Sequence, residues 1–345
     1  MSSFKAIILA GGSGERFWPL STPERPKQFL RVFGGASLIR QSVTRLMGLV
    51  APADVFVITS AALVAATRKE LPEIPKANVI GEPMRRDTGA AVALGVGVAS
   101  RTGGAVGPSG RKDCVLGFFP ADQLATNPVK FRATVKKAIR LAARPSSLVP
   151  HPSYPIVTIG IRPTYPSTQF GYVNPKTGSF VEKPNERKAK AYLKKGFLWN
   201  AGMFIGCAEA FSSAFAAHAP ELVGVLNAEA RRHGDLGRAY EKLPKISFDY
   251  AVMEKLTNVR VVKGDFGWDD VGSYGAFDRY FPHDSRGNVR EGPCTVVEAD
   301  GNICVARSAR ISLLGVKNLV VVTTPDAVLV ADKSRITEMK RLFGK

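Results

Sequence analysis

The chain has 345 residues, of which 45% are hydrophobic and 22% charged, a globular balance with length for one large α/β domain and a smaller companion. A formal charge of +19 and a pI near 10.0 suit polyanionic partners, nucleic acid or phosphorylated metabolites alike. The longest weakly polar run, Thr88 to Ser100, is too short for a bilayer, so no membrane partner is expected.

The first predicted element is the apolar strand Ala6-Ile7-Ile8-Leu9-Ala10, which runs into Gly11-Gly12-Ser13-Gly14-Glu15-Arg16, with Pro26-Lys27 a short way on. Glycines turn the backbone tightly and bring its N–H groups against an anion, Arg16 can fork onto phosphate oxygens, and Lys27 adds a positive charge. Phe17 stands where a dinucleotide fingerprint needs its last glycine, and no Gly-Lys-Ser/Thr follows, so the loop is neither of the two commonest glycine-rich types. No basic leader or cleavage site precedes it, which points to the cytoplasm.

Strands at Ala6–Ala10, Val55–Thr59, Asn78–Ile80 and Cys114–Phe119 alternate with helical patterns at Ser37–Leu49, Ala61–Leu71 and Thr88–Ser100. That alternation predicts a doubly wound, mostly parallel sheet. Ser37 and Ser60 are placed as N-caps, and Asn127-Pro128 opens a further helix. Two Gly- and Pro-rich stretches, Thr102–Lys112 and Arg144–Pro155, read as surface excursions. Strands follow at Ile156–Ile161, Gly171–Asn174, Gly178–Glu182 and around Trp199–Ile205. The densest basic stretch, Asn185 to Lys195, reads as a solvated helical face, and no nucleic-acid motif accompanies it.

Beyond Pro282 the composition shifts to short apolar runs at Cys294–Val297, Asn302–Val305, Ile311–Leu314, Leu319–Thr323 and Ala327–Ala331. The expectation is a catalytic domain over 1–282 and a small β-rich domain over 283–345, without a strict repeat period. Four cysteines, Cys114, Cys207, Cys294 and Cys304, form no Cys-x-x-Cys pair, and neither they nor the four histidines cluster at zinc spacing.

The run Leu9 to Ser21, then Arg25-Pro26-Lys27-Gln28-Phe29, resembles the nucleotide-binding signature of the sugar-1-phosphate nucleotidylyltransferases. Within them it is most similar to bacterial mannose-1-phosphate guanylyltransferases. The resemblance implies nucleotide contacts from Leu9, Ala10, Gly11, Gly12, Ser13, Gly14 and Glu15, with Arg16 and Lys27 in catalytic roles, and a β-helix-like fold for the tail. Bifunctional members continue into an isomerase domain for which this chain has no room, so a monofunctional enzyme is expected.

Asp122 follows Phe118-Phe119-Pro120-Ala121 at the end of an apolar strand, where it reads equally as a metal ligand or a turn residue. Gly267-Trp268-Asp269-Asp270-Val271-Gly272 resembles the family's second metal motif, in which the acid just before Val-Gly, here Asp270, binds magnesium. Mg2+ is usually held by one or two carboxylates with substrate phosphates, and Asp122 and Asp270 supply that pair. Asp269 reads as a surface or helix-start acid. Gln123 stands where relatives commonly carry His and is assigned no role.

Three further segments carry resemblances. Phe180-Val181-Glu182-Lys183-Pro184 implies that Lys183 binds the sugar phosphate and Glu182 a hydroxyl, against the alternative of an exposed ion pair. Asn200 in Trp199-Asn200-Ala201-Gly202 and Gly171-Tyr172 in Phe170-Gly171-Tyr172-Val173 join the sugar side. Glu82-Pro83-Met84-Arg85-Arg86-Asp87-Thr88 resembles the base-side motif, and a carboxylate accepts both N–H donors of guanine, so Glu82 or Asp87 could read it. Asp87-Thr88 reads equally as a helix cap.

The resulting expectation is Mg2+-dependent transfer of a nucleotidyl group from GTP to α-D-mannose 1-phosphate. Alternatives left open are another sugar phosphate or base, a catalytically silent nucleotide-sugar-binding paralogue, and nucleic-acid binding by the basic surface. A homodimer is compatible with this reading.

Overall fold

The computed structural model describes residues 3–12, 14–101, 114–145, 154–230 and 236–344. Ser13, the stretch Thr102–Lys112 and the greater part of Arg144–Pro155 lie outside the described residues. The chain resolves into two compact units. Unit 1 comprises Met1–Gly11, Ser42–Ala121 and Ala125–Trp268, and unit 2 comprises Gly12–Gln41, Asp122–Leu124 and Asp269–Lys345.

In chain order the strands up to Gly264 are β1 (Ser3–Ala10), β2 (Val55–Ser60), β3 (Val79–Glu82), β4 (Cys114–Pro120), β5 (Leu124–Ala125), β6 (Ile156–Ile161), β7 (Tyr172–Val173), β8 (Phe180–Val181), β9 (Leu198–Cys207) and β10 (Val259–Gly264). All but β5 join one nine-stranded sheet ordered β10-β6-β9-β4-β1-β2-β3, with β7 pairing β8 and β9. Pairs β1/β2, β2/β3, β1/β4 and β6/β10 are parallel, while β9 runs antiparallel between β4 and β6. The mostly parallel sheet expected from the alternation is present. Its strands read as nearly continuous apolar runs because helices cover both faces.

The helix Asp87–Arg101 is rich in Ala, Gly and Val because it packs against that sheet at close range. A Cβ on Gly95 would stand 2.8 Å from the Phe118 ring. The helix Pro128–Ala142 buries Phe131, Val135, Ala138 and Ala142 on one face, and the Asn127 side chain accepts from Lys130 N–H, as its cap position predicts. Ser37 Oγ likewise accepts from Arg40 N–H at 3.2 Å. Ser60 does not cap with its side chain, because the turn it opens starts as a 3₁₀ segment, Ala61–Leu63.

Strands β1 and β4 are neighbours, and the Ala121 N–H donates to the Leu9 carbonyl at 3.0 Å just beyond their ends. Loops that leave adjacent parallel strands in different directions open the crevice in which such sheets bind ligands. Gly11 and Ala121 stand at the head of those two loops.

Unit 2 has its own core. Phe17, Leu30, Phe33 and Leu38 pack with Val271, Tyr274, Phe277 and the inward residues of the tail, Val289, Ile303, Val320, Ile336 and Met339 among them. Its strands are β12 (Val289–Glu291), β13 (Cys294–Val297), β14 (Ile303–Ala306), β15 (Ile311–Leu314), β16 (Leu319–Thr323) and β17 (Val328–Asp332), after β11 (Trp268–Asp269). Parallel pairings β12/β14, β14/β16 and β13/β15 stack successive coils, and antiparallel β17 closes the stack. Buried Asn302 holds the coils together, giving its Nδ2 to Asn288 Oδ1 at 2.9 Å and accepting from Leu319 N–H at 2.9 Å. Unequal numbers of residues separate Val289 from Ile303 and Ile303 from Val320, so stacked coils exist without a period in the sequence.

Candidate active site

Within unit 2, the glycine loop leads into a 3₁₀ turn, Glu15–Phe17, anchored by buried Phe17. Gly14 adopts φ +66, and a Cβ there would stand 2.5 Å from both N and Cβ of Lys27. Glycine is therefore required by conformation and by contact. Pro26 fixes the entry to the turn Lys27–Phe29, and the buried Lys27 ammonium donates to Asp122 Oδ2 at 2.9 Å and to the Asp270 carbonyl at 2.6 Å. A cleft of about 200 Å³ has Arg16, Lys27, Glu15, Asp122 and Gly12 on its walls, with Lys340 from the C-terminal 3₁₀ helix Lys333–Phe343.

Asp270 faces the same side chains. Burial raises its pKa, the Lys27 and Arg16 charges pull it down, and the Asp122 carboxylate pushes it up. A Cβ on Gly272 would lie 3.3 Å from both Asp270 Oδ2 and Arg16 Nη1, so that glycine leaves room for the two groups. Asp269 is a correction to the sequence reading: its side chain is only 14% exposed, and Arg279 grips it with Nε at 2.7 Å and Nη2 at 3.0 Å. It also accepts from Val271 N–H at 2.7 Å, which supports a buried β-branched residue at φ +48 and so orients Asp270 between them.

Among the described residues no three His, Cys, Asp or Glu side chains gather as a ligand set. Two carboxylates, with a lysine ammonium on the side chain of one and the carbonyl of the other, fit a hard divalent cation completed by phosphate oxygens. Lys27 and Asp122 form a close ion pair at 2.9 Å.

In unit 1, the strand end Leu9-Ala10 is committed to the sheet: Leu9 accepts from Ala121 N–H and Ala10 from Thr59 Oγ1 at 3.1 Å. Gly11 comes next, and a Cβ there would lie 3.6 Å from Glu82 Oε2. Glu82, at the end of β3, is buried and accepts from the Tyr240 hydroxyl at 3.1 Å. Burial pushes its pKa up to about 7, against the lowering effect of that hydrogen bond. Asp87 differs: it is exposed, at φ +66, with its carboxylate on the Thr88 N–H at 2.7 Å. Of the two acids, Glu82 is the one beside Gly11, and Asp87 opens the helix.

The remaining expected residues form a second cluster in unit 1. Glu182 and Lys183 pair at 3.1 Å, with side chains 7% and 52% exposed, and Lys183 sits at φ +41. Burial raises Glu182, offset by Lys183; partial burial works against the Lys183 charge, but the Glu182 carboxylate holds its pKa above the ordinary value. A Cβ on Gly171 would stand 2.5 Å from Glu182 Oε2, so Gly171 makes room for that acid. Asn200 accepts from Thr158 Oγ1 at 2.8 Å and Gly202 N–H at 3.1 Å and donates to Asp249 Oδ1 at 2.9 Å, leaving one N–H of its amide. Tyr172 is a correction: it is wholly buried and donates its hydroxyl to the Ser167 carbonyl at 3.0 Å, so the hydroxyl faces inward.

The sequence did not single out Asp249, which accepts from Asn200, Tyr240, which donates to Glu82, or Lys340, which lines the cleft of unit 2. Burial and the Glu182 charge raise the Asp249 pKa. Its signal was a lone acid set between Phe248 and Tyr250 and followed by the apolar Ala251-Val252-Met253. Tyr240 and Lys340 carry no local signal, because their places depend on distant packing.

Residues 5–286 match the model of the nucleotidyl transferase family, and residues 292–345 that of the MannoseP isomerase/GMP-like beta-helix domain. A mannose-1-phosphate guanylyltransferase of Klebsiella pneumoniae is 33% identical over 97% of this chain and 72% of its own length. The xanthan biosynthesis protein XanB of Xanthomonas campestris pv. campestris is 33% identical over 100% of this chain and 73% of its own. A solved structure described as mannose-1-phosphate geranyltransferase from Thermus thermophilus superposes with a TM-score of 0.85 at 34% identity, covering 99% of this chain and 98% of that one.

Proposed function

Because the chain belongs to the nucleotidyl transferase family, with mannose-1-phosphate guanylyltransferases among its relatives, we propose that it joins GTP and α-D-mannose 1-phosphate into GDP-mannose and diphosphate. The observation that carries this reading is Lys27, whose single ammonium reaches both the Asp122 carboxylate and the Asp270 carbonyl beneath the glycine loop.

An oxygen of the sugar phosphate attacks the α-phosphorus of GTP in line, and diphosphate departs from the opposite side. Such a displacement needs positioning and charge neutralisation, with no protein nucleophile. Arg16 and the loop N–H groups bind the departing diphosphate, and Lys27 neutralises charge at the α-phosphate. Asp122 and Asp270 would hold Mg2+. When bound there, the cation would supply positive charge that offsets phosphate charge. Lys183 binds the sugar phosphate, Glu182 takes a sugar hydroxyl, and Glu82 accepts from the guanine edge. A cytoplasmic setting is part of the same reading; among the described residues no helix is long and apolar enough to cross a membrane.

The test is diphosphate release by the purified protein with Mg2+, four nucleoside triphosphates and several hexose 1-phosphates. Fastest turnover with GTP and mannose 1-phosphate supports the reading. Equal use of ATP or UTP leaves the family and removes the guanylyl assignment.

A further inference from the structure

We propose that Lys340, on the C-terminal 3₁₀ helix, is a binding residue for the β- and γ-phosphates of the nucleoside triphosphate and hence for the diphosphate product. The proposal rests on the nucleotidyl-transfer reading and adds to it a phosphate ligand contributed by the end of the β-rich tail.

Two independent features place this side chain at the cleft. The helix is fixed to the core of unit 2 by buried Ile336 and Met339, and Phe343 meets the Trp18 ring edge-on at 6.0 Å, just past the glycine loop. On a helix so anchored, Lys340 lines the cleft beside Gly12, Gly14 and Arg16. The other cations of the helix are occupied elsewhere: Lys333 pairs with Asp278 at 2.9 Å, and Arg335 and Arg341 both pair with Glu338, at 2.9 and 2.8 Å. Lys340 makes no ion pair among the described residues.

Charge balance gives the reason for it. The other walls of the cleft carry two cations, Arg16 and Lys27, and two carboxylates, Glu15 and Asp122, with Lys27 held directly on Asp122. Asp270 faces the same two cations, so these side chains by themselves leave no positive charge to spare. A triphosphate tail or a diphosphate bears several negative charges, and Lys340 adds to the cleft wall a cation that no carboxylate of its own helix holds. An ammonium on a flexible stem suits a group that must hold the triphosphate and then release diphosphate.

The experiment uses the full chain with Lys340→Ala, Lys340→Glu and Lys340→Arg. Lys340→Ala is expected to raise the GTP KM and the diphosphate inhibition constant by about tenfold, the worth of one charge-assisted hydrogen bond. Lys340→Glu should exceed that, Lys340→Arg should restore most of it, and the KM for mannose 1-phosphate and the melting temperature should stay near wild type. Unchanged GTP and diphosphate constants in both the Ala and Glu variants overturn the proposal. A melting temperature that falls in step with activity in all three variants, Arg included, overturns it too, since that marks a packing role. If the wild-type protein turns over no nucleotide, the functional reading fails by itself. Calorimetric titration of inorganic diphosphate into wild type and Lys340→Glu then still decides on Lys340, with equal affinity counting against it.

Discussion

Gly14 and Lys27 touch so closely that no side chain fits between them: a Cβ on Gly14 would meet Lys27 N and Cβ at 2.5 Å. The contact links the phosphate-binding loop to the lysine that bridges Asp122 and Asp270. Gly14→Ala has to move that backbone and also occupy a left-handed conformation, which costs about 1–2 kcal/mol by itself. The expected result is a loss of kcat of at least about tenfold, from a displaced Lys27, with a modest fall in melting temperature. Steady-state kinetics with thermal denaturation checks it, and a Gly14→Ala enzyme of normal kcat would show that Lys27 does not depend on the loop.

The two acids give a second expectation. Asp122→Asn and Asp270→Asn each remove a negative charge that would bind the cation, so turnover should fall by about a hundredfold or more at ordinary magnesium. Asp122→Asn also leaves buried Lys27 without its carboxylate partner, so it should lose more thermal stability than Asp270→Asn, whose contact with Lys27 is through the backbone carbonyl. Magnesium titration of each variant, alongside chelator-treated wild type, is the measurement. Wild-type rates in either folded variant would remove that aspartate from the ligand set.

On the sugar side, Gly171 and Glu182 stand in the relation already seen for Gly14 and Lys27. A Cβ on Gly171 would press to 2.5 Å from Glu182 Oε2, but that atom ends a side chain and can swing away. Gly171→Ala should therefore fold, turn Glu182 out of place and raise the KM for mannose 1-phosphate by about tenfold, leaving the GTP KM near wild type. An equal rise in both constants would count against a sugar-side role for Glu182.

The pattern of what could be read in advance follows the range of the interactions. Strand β1, the glycine loop and Lys27 were legible because the chemistry is written within a few consecutive residues. Asp270 was legible for the same reason, through Val271-Gly272. Asp269 was not, because its fork to Arg279 joins residues 10 apart across a turn that only the fold closes. Tyr172 sat in the expected motif, yet its hydroxyl turned to Ser167 once β7 was buried. Lys340 was out of reach of any local argument: its place depends on Ile336 and Met339 entering a core built from residues near both ends of the sequence.

Glu82 offers the sharpest expectation, because burial pushes its pKa up to about 7 where an exposed glutamate titrates near 4.5. The folded protein therefore holds the proton more tightly than the unfolded chain between those values, and stability falls as pH rises across that window. Above it, the ionised buried acid costs on the order of 3 kcal/mol, a cost absent below the unfolded value. Glu82→Gln should thus melt higher than wild type at pH 8, with the gain shrinking toward pH 5. Function runs the other way. A carboxylate that accepts from the ring and exocyclic N–H groups of guanine has to be ionised, so wild-type GTP affinity should improve as pH rises through about 7, while ATP, which lacks those donors, gains nothing. ITP keeps the ring N–H and should fall between them. Glu82→Gln should flatten the pH dependence and narrow the preference for GTP over ATP, leaving the magnesium requirement intact. Nucleotide titrations from pH 5.5 to 8.5 read all of this, and a GTP preference that survives Glu82→Gln unchanged at every pH would assign the reading of guanine to another residue.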